Sequence, residues 1–228
     1  MKLAIVRHGQ SEFNESNTFT GWENPDLTKL GIEQAREAGR KLQEANMEFD
    51  IAFTSVLNRA IKTLYHILDV TDQLWIPVEI SWRLNERHYG ALQGLNKTKT
   101  AEQYGEDKVH LWRRSFDVFP PLQEEGQNEA KNDRRYGLLD REVIPDGENL
   151  KSTLERVTPY WMDTIVPQIK KKKHVIIAAH GNSLRALVKH LEKLTDEAIT
   201  EIEIPTGVPL IYDLDENLHP IEKYYLKD

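Results

Sequence analysis

The sequence has no cysteine among its 228 residues. Disulfides and thiolate metal ligands are thereby excluded, and a reducing compartment is the natural setting. Long apolar runs are missing too. No window approaches the roughly 18 residues needed to span a bilayer. Residues 1–20 hold no apolar core flanked by basic residues, so no secretory signal is expected there. Basic charge is in deficit: 30 Lys and Arg stand against 37 Asp and Glu, a formal net charge of −7. Such a chain repels nucleic acid and membrane surfaces overall, so neither is an expected partner. Any anion it binds must be held by a local cluster of cations. There is no repeat of solenoid period and no low-complexity linker. The length suits one large α/β domain spanning 1–228, able to bury roughly 70% of its unfolded surface.

What is present is an alternation of strand and helix signals. Residues 2–7 are apolar and β-branched and read as a buried strand. Thr28 is placed to cap a helix over about 29–45, with Ile32, Ala35, Gly39 and Leu42 on one face. A strand over 50–54 and a helix over 56–69 follow, then a short strand over 78–82 opened by Pro77. Two short helices are expected over 98–105 and 107–116. Residues 117–148, rich in proline, glycine and charge, read as a surface excursion. Leu150, Leu154, Val157, Trp161, Ile165 and Ile169 form a helical stripe that Pro159 and Pro167 should kink. A strand over 174–179, a helix over 183–194 and strands over 208–213 and 221–226 complete the chain. This order predicts a three-layer α/β/α sandwich with a mostly parallel sheet, ligands sitting beyond the strand carboxyl ends.

Two segments repeat one pattern at such ends: AIVRHGQS, residues 4–11, and IIAAHGNS, residues 176–183. Each runs apolar strand, His, Gly, primary amide, Ser. A single His-Gly after a strand is ordinarily a turn. Two with the same downstream polar order suggest imidazoles sharing one small anion, one as nucleophile and the other as electrostatic partner. A metal pair is the competing reading, since His is a common ligand. Against it, Arg7 beside His8 would repel a cation, and HxH and HExxH patterns are lacking.

Arg7, Arg59, Lys97, Arg113 and Arg114 fall near predicted strand ends or in loops. Singly, each reads as a solvated charge. The adjacent guanidiniums of WRR, residues 112–114, repel unless an anion holds them together, and arginine suits forked recognition of phosphate and carboxylate. The lysine run at 170–173 ends a helix, where cations complement the dipole. Arg134-Arg135 stays ambiguous.

The blocks RHGQSEFN, TGWENPDLTKLG, AFTSVLNRA, RLNERHYGALQGLNK, WRRSFD and AAHGNSLRAL, in this order, closely resemble the cofactor-dependent phosphoglycerate mutases of the histidine phosphatase superfamily. The resemblance implies that 3-phosphoglycerate and 2-phosphoglycerate are interconverted in glycolysis and gluconeogenesis through a phosphohistidine and a 2,3-bisphosphoglycerate intermediate. It implies 2,3-bisphosphoglycerate as priming phosphoryl donor, no metal, small-molecule phosphoglycerates as partners, a cytoplasmic location, and a homodimer or homotetramer. It further implies His8 as the phosphorylated nucleophile, Arg7, Arg59 and His180 around the transferring phosphoryl, and Glu86 as general acid/base. On residue type alone Glu86 equally reads as a salt bridge to Arg87. Substrate contacts would come from Ser11, Asn14, Thr20, Gly21, Arg87, Tyr89, Lys97, Arg113, Arg114, Gly181 and Asn182. Gln10 and Ala91 depart from the family's more usual Glu and Gly, and residues 117–148 match it least. A phosphatase on the same scaffold is the alternative enzyme; a phosphoanion-binding module without catalysis is the alternative of another class.

Overall fold

The computed structural model describes residues 1–227. In chain order the elements are β1 (Lys2–Arg7), α1 (Glu12–Glu15), α2 (Lys29–Glu44), β2 (Ile51–Thr54), α3 (Asn58–Val70), β3 (Val78–Ile80), α4 (Lys97–Tyr104), α5 (Glu106–Arg114), α6 (Leu150–Tyr160), α7 (Val166–Lys170), β4 (Val175–Ala179), α8 (Gly181–Glu192), α9 (Asp196–Glu201), β5 (Leu210–Leu214) and β6 (Pro220–Tyr225). The sheet order is β3-β2-β4-β1-β5-β6. The first four are parallel to one another, and β5 and β6 add an antiparallel edge.

Both faces of the sheet are covered, which is why β1 and β4 read as unbroken apolar runs. The two faces of β1 part cleanly. Leu3 and Ile5 join Val157, Trp161 and Leu187 of α6, the following turn and α8. Ala4 and Val6 join Ala38, Leu42, Leu64 and Ile67 of α2 and α3. The Thr28 side chain accepts from Gly31 N and caps α2 as expected. Gly39 lets α2 and α3 close up; a Cβ there would lie 2.8 Å from Val70 Cβ.

The expected three-layer, mostly parallel architecture is present, with local corrections. The strand opened by Pro77 stops at Ile80, and Trp82–Leu84 form a 3₁₀ turn. α8 begins two residues earlier than the apolar period indicates, directly after His180. The stripe from Leu150 to Ile169 is broken by a π-helical turn, Trp161–Ile165, lying between the two prolines. A wide turn there accommodates the i→i−4 bonds that proline cannot make. α1 and α9 are too short to leave a periodic signal. Residues 117–148 are more than a surface excursion. Tyr136 and Ile144 are buried in a cluster with Trp22, and Asn128 and Glu148 are buried as well.

Candidate active site

Register decides the site. β1 pairs with β4 so that Arg7 lies opposite Ala179, and the next residue of each strand is a histidine. His8 N donates to Ala179 O at 3.0 Å. The two imidazole centroids are 5.0 Å apart, in an edge arrangement. β2 pairs with β4 on the other side, which brings Ser55 Oγ to 2.7 Å from His180 Nε2.

His8 is held in one tautomer. Its Nδ1 lies 2.7 Å from Gly9 O, which can only accept, so the proton resides on Nδ1. Nε2 is left with its lone pair and accepts from Arg59 Nε at 3.2 Å. Burial, then the charges of Arg59 and Arg7, hold the His8 pKa well below the ordinary 6.5. Burial, then Arg59 and His8, do the same to His180. Both rings are therefore neutral near pH 7. Arg59 is fully buried and anchored by Nη1 to Glu23 O and Nη2 to Gly21 O, each at 2.8 Å. Burial lowers its pKa to about 10, which leaves it charged at neutral pH.

His8 and Arg59 open on a cavity of about 410 Å³ lined also by Arg7, Asn14, Thr20, Gly21, Glu86, Tyr89, Lys97, Arg113, Arg114, Gly181 and Asn182, with His180 fully buried behind His8 and outside that lining. Arg7 reaches it with Nη1 tied to Ile204 O at 3.0 Å. The amino end of α8, with its partial positive charge, meets the cavity at Gly181 and Asn182. Glu86 Oε1 accepts from Asn182 N at 3.1 Å, Asn182 Nδ2 at 2.9 Å and Arg87 N at 2.7 Å. The carboxylate is thus seated on α8 beside the histidines, and no salt bridge joins it to the Arg87 guanidinium among the described residues. Burial lowers the Lys97 pKa, and nearby Arg113 and Arg7 add to the shift while Tyr89 opposes it.

Two expected contact residues stand behind the wall. Ser11 is fully buried; its Oγ accepts from Asn14 N at 3.2 Å and its own N donates to Asn14 Oδ1 at 3.1 Å, so it aims Asn14. Arg87 is fully buried as well, its Nη2 donating to Trp112 O at 2.9 Å and Arg113 O at 3.2 Å. It caps the carboxyl end of α5 and sets where Arg113 and Arg114 emerge. Conversely, Arg185, Glu203 and Thr206 line the cavity without having been singled out. Arg185 was findable: it follows Asn182 by three residues and shares its helix face. Glu203, 2.7 Å from Arg114, and Thr206 come from the loop after α9 and carry no local signal.

Comparison with known proteins agrees with this geometry. The family model described as histidine phosphatase superfamily (branch 1) matches residues 3–131 and 123–225. A 2,3-bisphosphoglycerate-dependent phosphoglycerate mutase of Enterococcus faecalis is 59% identical over 226 residues, 99% of each chain. One of Pasteurella multocida is 59% identical over 227 residues, 99% of this chain and 100% of that one. Among solved structures, a mycobacterial glucosyl-3-phosphoglycerate phosphatase superposes with a TM-score of 0.74 at 20% identity, covering 98% of this chain and 96% of its own. The alpha-ribazole phosphatase from Shigella flexneri gives 0.70 at 22%, covering 95% and 92%. At such identities these two show the fold alone. The chain belongs to the histidine phosphatase superfamily, among the 2,3-bisphosphoglycerate-dependent phosphoglycerate mutases.

Proposed function

We propose that this protein interconverts 3-phosphoglycerate and 2-phosphoglycerate by passing a phosphoryl group through His8. The observation that carries the reading is the single tautomer of His8, with an unprotonated Nε2 that accepts from a buried guanidinium in a cationic cavity. The names of relatives 59% identical over nearly the whole chain support it.

Phosphoryl transfer asks a protein mainly for positioning and charge stabilisation. His8 Nε2 attacks in line and later gives the group up. Arg7, Arg59 and the amino end of α8 balance its negative charge and neutral His180 offers a hydrogen bond, so the reading requires no metal. Glu86 takes the proton from the attacking hydroxyl and returns it to the departing one. Lys97, Arg113, Arg114 and Arg185 hold the substrate's remaining anionic groups.

The site suits 2,3-bisphosphoglycerate. Buried Arg7 Nε and His180 Nδ1 have no hydrogen-bond partner in the protein, and the lining is rich in guanidinium groups. When bound, this cofactor supplies the phosphoryl that primes His8. The work belongs to glycolysis and gluconeogenesis in the cytoplasm, with small phosphoglycerates as its partners.

The test incubates the protein with 3-phosphoglycerate, with and without 2,3-bisphosphoglycerate, after exhaustive EDTA treatment. Conversion to 2-phosphoglycerate should dominate over free phosphate, depend on priming and survive EDTA. Mainly free phosphate would make the protein a phosphatase. Activity that EDTA abolishes and manganese restores, indifferent to bisphosphoglycerate, would overturn the mechanism.

A further inference from the structure

The buried ion pair between Arg156 of α6 and Glu148 lies outside the cavity and has no part in the chemistry described so far. Its side chains are only 7% and 4% exposed. Arg156 Nε donates to Glu148 Oε1 at 2.6 Å and Nη2 to Oε2 at 2.9 Å. The same guanidinium reaches past its partner. Nη1 donates to Arg83 O at 2.7 Å, and Nη2 to Asn85 O at 3.1 Å and Glu86 O at 2.9 Å. Glu148 grips the other end of this loop, accepting from His88 N at 2.8 Å and donating its own N to His88 O at 2.7 Å. Trp22 Nε1 adds a second donor to Glu86 O at 2.7 Å, and Tyr136 stacks on Trp22 at 4.9 Å.

A buried ion pair is a poor device for stability, because desolvation of both charges offsets most of their attraction. It is a good device for fixing a backbone, because a guanidinium offers five donors in a rigid fork. Here the fork is spent on the carbonyl of Glu86 and on those of Asn85 and Arg83 just before it, and the Glu86 carboxylate lines the same cavity as His8. Residues 117–148, whose role the chain's own pattern leaves blank, deliver both Tyr136 and Glu148 to this spot.

We infer that Arg156 and Glu148 are positioning residues for Glu86, holding its carboxylate at the height where it can exchange a proton with the substrate hydroxyl. The inference rests on the acid/base reading of Glu86. Small displacements of a catalytic group by a distant change can cost ~10²-fold in rate.

The test is a double-mutant cycle in the full-length protein, with Arg156→Lys, Glu86→Gln and the combination. Lysine keeps the charge for Glu148, but a point donor cannot span Glu148 and the Arg83 and Glu86 carbonyls together. Arg156→Lys should lower kcat by about 10- to 100-fold with little change in KM. In the Glu86→Gln background it should cost less than about threefold further, since its effect runs through the lost carboxylate. Vanadate binding needs no proton transfer, so Arg156→Lys should leave vanadate affinity unchanged relative to its own background, whether that background is the wild type or Glu86→Gln. If the losses multiply independently, or vanadate affinity falls in step with kcat, the proposal is overturned. Wild-type rates in Glu86→Gln would instead sink the acid/base reading, and a wild-type protein that only releases phosphate would sink the mutase reading while leaving the cycle measurable. Should Arg156→Lys fail to give a cooperative thermal melt, Glu148→Gln replaces it with the same readouts. Failure of both to fold would overturn the proposal, because the pair would then determine the fold rather than the placing of Glu86.

Discussion

Arg59 Nε donates to His8 Nε2 at 3.2 Å, so the nitrogen proposed to attack phosphorus already carries a cation as its neighbour. An approaching phosphoryl finds its charge partner in place, and the guanidinium needs no reorganisation because two carbonyls anchor it. Incubation with 2,3-bisphosphoglycerate should therefore label His8 with an acid-labile, base-stable phosphate. His8→Ala should lose several orders of magnitude in rate and keep its circular dichroism. Label found on His180 would reverse the assignment of the two rings.

Arg113 and Arg114 test the far side of the cavity. Arg114 is about a third exposed and paired with Glu203, so its loss is screened by solvent. Replacing either by alanine should raise KM for phosphoglycerate by about 10- to 100-fold, the worth of a hydrogen bond to a charged group. Lysine should restore the binding only in part. Unchanged KM in both alanine variants would make this pair a feature of α5 alone.

Two glycines of the repeated motif should behave oppositely. A Cβ at Gly9 would lie 2.1 Å from Gly31 O, a backbone collision. At Gly181 it would lie 3.6 Å from Arg7 Cζ and 3.7 Å from Glu86 Oε2, in ordinary contact but inside the proposed phosphoryl site. Gly9→Ala should lower the thermal midpoint sharply. Gly181→Ala should melt like the wild type and lose catalytic rate. Equal effects on both properties in both variants would mean the two turns are equivalent after all.

Acid should destabilise the fold before it titrates the carboxylates. Burial is the largest cause holding His8, His180 and His88 below the ordinary 6.5, and it takes His88 to about 4. The unfolded chain then binds more protons than the native one below pH 6.5, so stability rises with pH in that window. It should be fully present above about 6.5 and fall as pH drops toward 4, by on the order of 3 kcal/mol from His88 alone. Denaturant melts between pH 4 and 7 would show this slope, and His88→Asn should flatten it. A flat profile in the parent protein would mean these rings are charged when native.

The layer architecture and the meeting of the two His-Gly turns were legible because both rest on local pattern. Apolar strands ending in His-Gly are visible in ten residues, and adjacency of β1 and β4 brings them together. What stayed hidden depends on contacts between distant segments. Nothing near Arg87 says that its Nη2 turns back to cap α5. Nothing near Glu148 says that it meets Arg156 beneath Glu86. Ser11 was assigned to the cavity with its motif, yet a three-residue capping box draws it inward to aim Asn14. The π turn is a compromise between a helical stripe and two prolines, and periodicity registers only the stripe.

The place of β1 has a consequence for the order in which the molecule is made. β1 leaves the ribosome well before β4 and β5, the two strands between which it lies. Until β4 emerges, β1 has no hydrogen-bonding neighbour, and His8 has neither His180 beside it nor the Ala179 carbonyl to bind. Pairings this remote in sequence form late, after a large loop has closed. Phosphate-binding capacity should thus appear abruptly, once β4 has emerged and paired with β1, and a nascent chain halted before that point should bind none.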